Sequence, residues 1–173
     1  SLLQKLQTTT FEALTAASSV IRPGVAESGM MDQYIKYVRN PNEAKYLHPK
    51  MKELLSDTFG VMIYQEDVLK IAHHIAGMSL SSADILRRGM SGKARSKKIQ
   101  TLFNQFSSGC SKNNIAPQTA KEIWRQIESF AGYSFCKAHS ASYAQLSFKV
   151  AYLKYYYPAE FLAAVINNGG GCY

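Results

Sequence analysis

The stretch LRRGMSGKARSKK, residues 86 to 98, carries six cationic side chains in thirteen positions and no carboxylate. Arg87, Arg88, Lys93, Arg95, Lys97 and Lys98 are suited to gripping phosphates. Arginine offers a planar fork of donors, and lysine a compact point charge. Successive helical residues diverge by about 100°. Arg87 and Arg88 therefore serve one ligand only if it is extended, as a triphosphate or a nucleic-acid backbone is. Charge density alone leaves open a solvated basic surface, with the arginine stems laid on apolar neighbours.

A second candidate is GYSFCKAHSASY, residues 132 to 143. Gly132 ends one helix and a new one starts near Lys137 or Ala138. Lys137 and His139 then stand near a helix N-terminus, where unpaired N–H groups and the dipole favour an anion. Tyr143 lies one turn beyond His139 on the same face. A cation, an imidazole and a ring at a positive helix end could hold the phosphates and base of a nucleotide. The competing reading is a structural histidine beside a helix start.

Other groups offer less. His73 and His74 are adjacent in a helix, point apart and cannot share a metal, which needs i, i+4 spacing. Cys136 is a single thiol with no orienting partner in view. Tyr152, Tyr155, Tyr156 and Tyr157 suit packing or a partner surface. A two-metal phosphoryl-transfer centre needs converging carboxylates. The only aspartates are Asp32, Asp57, Asp67 and Asp84, with no Asp-x-Asp pair. There is no Walker A loop, nucleophile elbow or zinc-ligand set. The chain has groups to hold a nucleotide or DNA, and none visible to do chemistry on one.

Helices must position these residues. Ile99, Leu102, Phe103, Phe106 and Cys110 repeat on one helical face. So do Ile123, Trp124, Ile127, Phe130 and Ala131, and again Val68, Ile71, Ala72, Ile75 and Ala76. Thr9 with Glu12, and Ser81 with Asp84, have capping-box spacing and should open helices. Pro23-Gly24, Asn40-Pro41, Asn113-Asn114 and Pro117 punctuate them. Only GVMIY, residues 60 to 64, reads as a short strand, running into a helix at Gln65. Residues 143 to 157 form a long Tyr-rich helix closed by Pro158, with another after it. The expected fold is mostly α, one domain of eight or nine helices, with at most one short strand or hairpin.

The 173 residues carry a net charge of +8, from 20 basic and 12 acidic residues. The excess is concentrated in the basic run, which points to a polyanionic partner. Cys110, Cys136 and Cys172 are scattered and odd in number, which argues for a reducing compartment over a disulfide scaffold. No stretch has the length and apolarity of a membrane span, and no signal-peptide pattern is present. The Ser-Leu start and the terminal glycines lead us to expect a piece of a longer protein.

Three segments carry a family resemblance: IRPGVAESGMMDQYI (21 to 35), LHPKMKELLSDTFGVMIYQEDVLKIAHHIAGMSLSSADILRRGM (47 to 90) and FAGYSFCKAHSASYAQLSFKVAYLKYYYPAEFLAAVINN (130 to 168). In order and spacing they resemble the bacterial DNA polymerase III alpha subunits, the family C polymerases. The resemblance implies a single fingers-type domain over 1–173, with 1–25 at the palm junction. It implies DNA-directed DNA synthesis by the intact cytoplasmic enzyme, with Mg²⁺ held by palm residues outside this chain, so that this fragment alone is inactive. By analogy, Arg87, Arg88, Lys137, His139 and Tyr143 would meet the incoming dNTP. Lys93, Arg95, Lys97 and Lys98 would ride on the primer-template backbone. Arg22 and Gln65 match motif positions. Implied partners are the palm and thumb of the parent chain and, through it, the sliding clamp and other replisome subunits; no membrane is implied. The sequence departs from the family at Ser91, which interrupts the Gly-Lys-Lys run. It departs again at Cys136, where the family's FNKSH has an asparagine. The alternatives from the residues alone are a free-standing basic nucleic-acid-binding module and a helical protein-docking module.

Overall fold

The computed structural model describes residues 2–21, 29–89, 95–130 and 136–169. Among them the chain forms ten α-helices and no strand. They are α1 (Leu2–Lys5), α2 (Phe11–Val20), α3 (Met30–Arg39), α4 (Pro49–Leu54), α5 (Gln65–His74), α6 (Leu80–Gly89), α7 (Arg95–Lys112), α8 (Pro117–Phe130), α9 (Lys137–Tyr156) and α10 (Pro158–Asn167). The fold is mostly α, as expected, with more helices than the eight or nine counted from periodicity. α1 and α4, with 4 and 6 residues, are too short to display a periodic face.

The helix starts differ from the capping pattern by one or two positions. Thr10, not Thr9, caps α2: its Oγ1 accepts from Ala13 N–H at 3.1 Å. Ser79, not Ser81, caps α6, its Oγ accepting from Ser82 N–H at 3.1 Å. A capping hydroxyl must precede the first helical residue to reach an amide of the first turn, and Ser81 already lies inside that turn.

GVMIY is not a strand. Val61, Met62, Ile63 and Tyr64 are buried, but no second segment pairs with them among the described residues. The N–H groups of Ile63 and Tyr64 instead donate to Asp67 Oδ2, each at 2.9 Å. The run enters through two left-handed residues, Phe59 (φ 54°) and Gly60 (φ 81°). A side chain at Gly60 would also meet the Tyr46 ring at 2.8 Å.

The three periodic faces meet in one core. Val68, Ile71 and Ala72 of α5, and Ile75 just after it, lie against Ala83 and Leu86 of α6 and Leu102, Phe106 and Cys110 of α7, with Ile123, Trp124 and Ile127 of α8. Trp124 packs on Phe103 and Phe106, centroids 5.3 and 5.4 Å away. Burial pushes the Cys110 thiol up to about 11, so it sits in the core as an inert apolar group. Full burial of each large aliphatic here contributes roughly 1.5–3 kcal/mol. α7 crosses the end of α5 at Gly109, which packs on the Ala76 backbone carbonyl. Asn113 Nδ2 donates to the Ile75 carbonyl at 2.8 Å at the same crossing.

α9 packs along α2 through small residues. Ala16, Ala17 and Val20 are buried, as are Ser140 and Ala144, and the hydroxyls of Ser19 and Ser140 hydrogen-bond. Beyond Ala144 the apolar residues of α9 spread around the helix. Leu146, Tyr152, Leu153, Tyr155 and Tyr156 are exposed, with Leu162 and Ile166 of α10. Among the described residues no helix is long and apolar enough to cross a membrane.

Candidate nucleotide-binding site

The first turn of α5 touches a residue of each cationic segment. Asp67, three residues into the helix, holds the preceding amides and ends the extended run at Tyr64. Gln65 and Glu66 are therefore the first two helical residues, and their side chains diverge by about 100°. Gln65 Oε1 accepts from Arg87 Nη1 at 2.8 Å. The Glu66 carboxylate accepts from the backbone N–H of Lys137, at 3.1 and 3.3 Å to its two oxygens. Segments distant in sequence are thus tied to consecutive residues.

Asp84 orders the arginines. Its Oδ1 accepts from Arg87 Nε at 2.9 Å and its Oδ2 from Arg88 Nε at 2.8 Å. One carboxylate thereby gathers two side chains that leave the helix about 100° apart. Arg87 is 26% exposed and Arg88 72%, so Arg88 reaches further into solvent. Such solvated pairs stabilise by at most about 1 kcal/mol each, so their importance here is orientation.

The N-terminus of α9 already holds an anion, the Glu66 carboxylate. Cys136, its N-cap, makes no side-chain cap. The Lys137 ammonium lies 3.9 Å from Asp57 Oδ2 and 5.4 Å from the centre of the Tyr64 ring. It lines a cavity of about 600 Å³ with Phe11, Tyr34, Phe59 and Tyr64. Burial raises the pKa of Tyr64 and pushes Tyr34 up to about 12.

The trio expected at the start of α9 separates. His139 is two residues beyond Lys137, about 200° around the helix. It stacks edge-on with Tyr143, centroids 4.8 Å apart. Together they line a different cavity of about 390 Å³ with Leu14, Ser18 and Ser147. Lys137 is thus joined to the turn that holds Arg87, while His139 and Tyr143 face the other side of the α2–α9 seam.

Arg22 and Lys93 lie outside the described residues. Arg95, Lys97 and Lys98 form the first turn of α7, and their side chains are outside the described set. His73 and His74 do meet, edge-on at 4.8 Å, contrary to the expectation that they point apart. His73 Nδ1 is hydrogen-bonded to the Met78 carbonyl at 2.7 Å. Among the described residues no three His, Cys, Asp or Glu side chains gather as a metal site. The nearest carboxylates, Asp84, Glu66 and Asp57, face the arginines, an amide and the Lys137 ammonium. These residues do not fit a Mg²⁺ seat.

Sequence reasoning missed Asp84 and Glu66. Asp84 was open to discovery, standing three and four residues before the arginines it holds. Glu66 was not, since its partner is 71 residues away.

Residues 1–114 match the family model of the bacterial DNA polymerase III alpha subunit finger domain. The chain is 40% identical over 168 residues to the DNA polymerase III subunit alpha of Campylobacter jejuni, covering 97% of this chain and 14% of that protein. It is 39% identical over 171 residues to the subunit of the same name from Escherichia coli, covering 96% and 15%. A Staphylococcus epidermidis subunit is 40% identical over 168 residues, covering 97% and 16%. The chain thus spans about one seventh of the length of these curated relatives.

Proposed function

The chain belongs to the bacterial DNA polymerase III alpha subunit family, in its finger region, and from that premise we propose that it receives the incoming deoxynucleoside triphosphate over a primer-template during DNA-directed DNA synthesis. The observation that carries this reading is the joining of Arg87 to Gln65 and of the Lys137 amide to Glu66. Arg87 and Arg88 take the β- and γ-phosphates, where they offset charge that builds on the leaving pyrophosphate. Lys137 adds positive potential from the other side of the same turn. The assignment of His139 and Tyr143 to the sugar or base of the nascent pair rests on the family resemblance alone, since they line the cavity on the other side of the α2–α9 seam. Lys93, Arg95, Lys97 and Lys98 ride on the DNA backbone, giving salt-sensitive and sequence-independent affinity. Arg22 is carried on its motif position alone.

In this proposal 1–173 is one fingers-type domain, 1–25 adjoins the palm, and Mg²⁺ belongs to palm carboxylates elsewhere in the parent. Clamp and replisome contacts also come through that parent, in the bacterial cytoplasm. The exposed apolar residues of α9 and α10 favour a second role, docking. The occupant is another part of the parent polypeptide, of which the matched region is about one seventh in the relatives. Charge reversal at Lys97 and Lys98 should weaken DNA binding and leave this docking intact.

Arg88→Ala in the intact polymerase removes a charge-assisted phosphate contact worth roughly 1.5–3 kcal/mol. The expected loss is about 10- to 100-fold in kcat/KM for nucleotide incorporation. Unchanged incorporation would remove Arg88 from the site. The isolated chain, given Mg²⁺ and a primed template, is expected to extend no primer; extension by homogeneous protein would refute the assignment of the carboxylates to the palm.

A further inference from the structure

We propose that Glu66 is a positioning residue for triphosphate binding, holding the start of α9 in register with the arginine pair; this rests on the nucleotide-binding reading above. The two halves of the site ride on different packed pairs. The arginines belong to α6, which packs on α5, whereas Lys137 belongs to α9, which packs on α2. Ala16, Ala17 and Val20 of α2 belong to the same core as α5 and α6, so the movement that would separate the cations is a shift of the α9 start on α2. The Glu66 carboxylate spans the two pairs by accepting from the first amide of α9.

Two physical effects make this link effective. The α9 N-cap residue, Cys136, makes no side-chain cap, and an acceptor from outside the helix satisfies one of its terminal donors. A carboxylate there also complements the helix dipole. Because the donor is a backbone N–H, the link is independent of the charge on residue 137. Gln65, one residue earlier, does the corresponding work for Arg87 through its amide oxygen.

The sign of the effect distinguishes this role from simple electrostatics. A carboxylate beside a triphosphate should repel it, so its removal would tighten nucleotide binding. A positioning role demands the reverse, and it needs an acceptor oxygen more than a charge.

The test is single-nucleotide incorporation by the full-length polymerase carrying Glu66→Ala, Glu66→Gln or Arg88→Ala. Loss of this charge-assisted hydrogen bond in Glu66→Ala should raise KM for dNTP about tenfold. kcat and primer-template affinity should stay near the parent values. Glu66→Gln, which keeps a carbonyl oxygen, should recover most of the affinity. In a Lys137→Ala background the Glu66→Ala effect should shrink, because both act on one element. An unchanged or lowered KM in Glu66→Ala overturns the proposal. So does equal impairment of Glu66→Gln, or a joint fall of kcat, DNA affinity and thermal midpoint. If Glu66→Ala is neutral while Arg88→Ala raises KM, the positioning role alone fails. If both are neutral, the nucleotide-binding reading fails with it.

Discussion

Gly109→Ala should destabilise the chain by about 3 kcal/mol, at the upper end of overpacking costs, and lower its thermal midpoint by roughly 6–12 °C. Helix propensity alone argues the opposite way, since alanine is favoured over glycine by about 1 kcal/mol inside a helix. The contact decides the sign. A Cβ at this position would fall within the van der Waals shell of the Ala76 carbonyl oxygen and carbon. These are backbone atoms just past the end of α5 and cannot rotate away as a side-chain tip would. Relief requires α7 to lift off α5, which would also draw Asn113 from the Ile75 carbonyl. Calorimetry or denaturant titration of the variant checks this. A midpoint equal to or above the parent's would show that the crossing tolerates a methyl group.

Asp67→Ala carries the second large effect. It removes the single oxygen that accepts from Ile63 and Tyr64, leaving two buried N–H groups without that partner. At roughly 1–3 kcal/mol for each unsatisfied group, less the relief of desolvating a carboxylate, the expected loss is about 3 kcal/mol. Asp67→Asn keeps a carbonyl oxygen in that place and should cost far less. Equal losses in the two variants would show that the charge, not the acceptor, matters. Burial raises the Asp67 pKa, while the two backbone hydrogen bonds and Lys70 pull it down. With the folded value above the unfolded one, the folded state binds the extra proton between them. Stability therefore falls as pH rises from the ordinary carboxylate range through the folded value. Asp67→Asn should lack that slope in a pH series of unfolding curves.

The helical faces were legible because burial follows a 3.6-residue period, and Ile71, Phe106 and Ile127 are fully buried where the period put them. GVMIY misled because a short apolar run has no period. Its β-branched residues fit a pleat, but Asp67 at the third position of the next helix satisfies the amides a ladder would have used. Long cationic side chains announce a ligand class by type and density. Which of them meet depends on acceptors from elsewhere. Gln65 lies 22 residues from Arg87, a separation that local spacing rules do not cover. The parting of Lys137 from His139, by contrast, was already contained in the helical turn: two residues apart is close to opposite faces.

The serine pair that joins α2 to α9 lies 121 residues apart in the chain. Closing so long a loop costs conformational entropy that the neighbouring contacts among α5, α6, α7 and α8 do not incur. Folding should therefore start in the middle of the chain, with the two outer helices zipping together late. The groups on α9 would take their places only in that last step, so a nascent or truncated chain would own its arginine pair well before α9 was seated on α2.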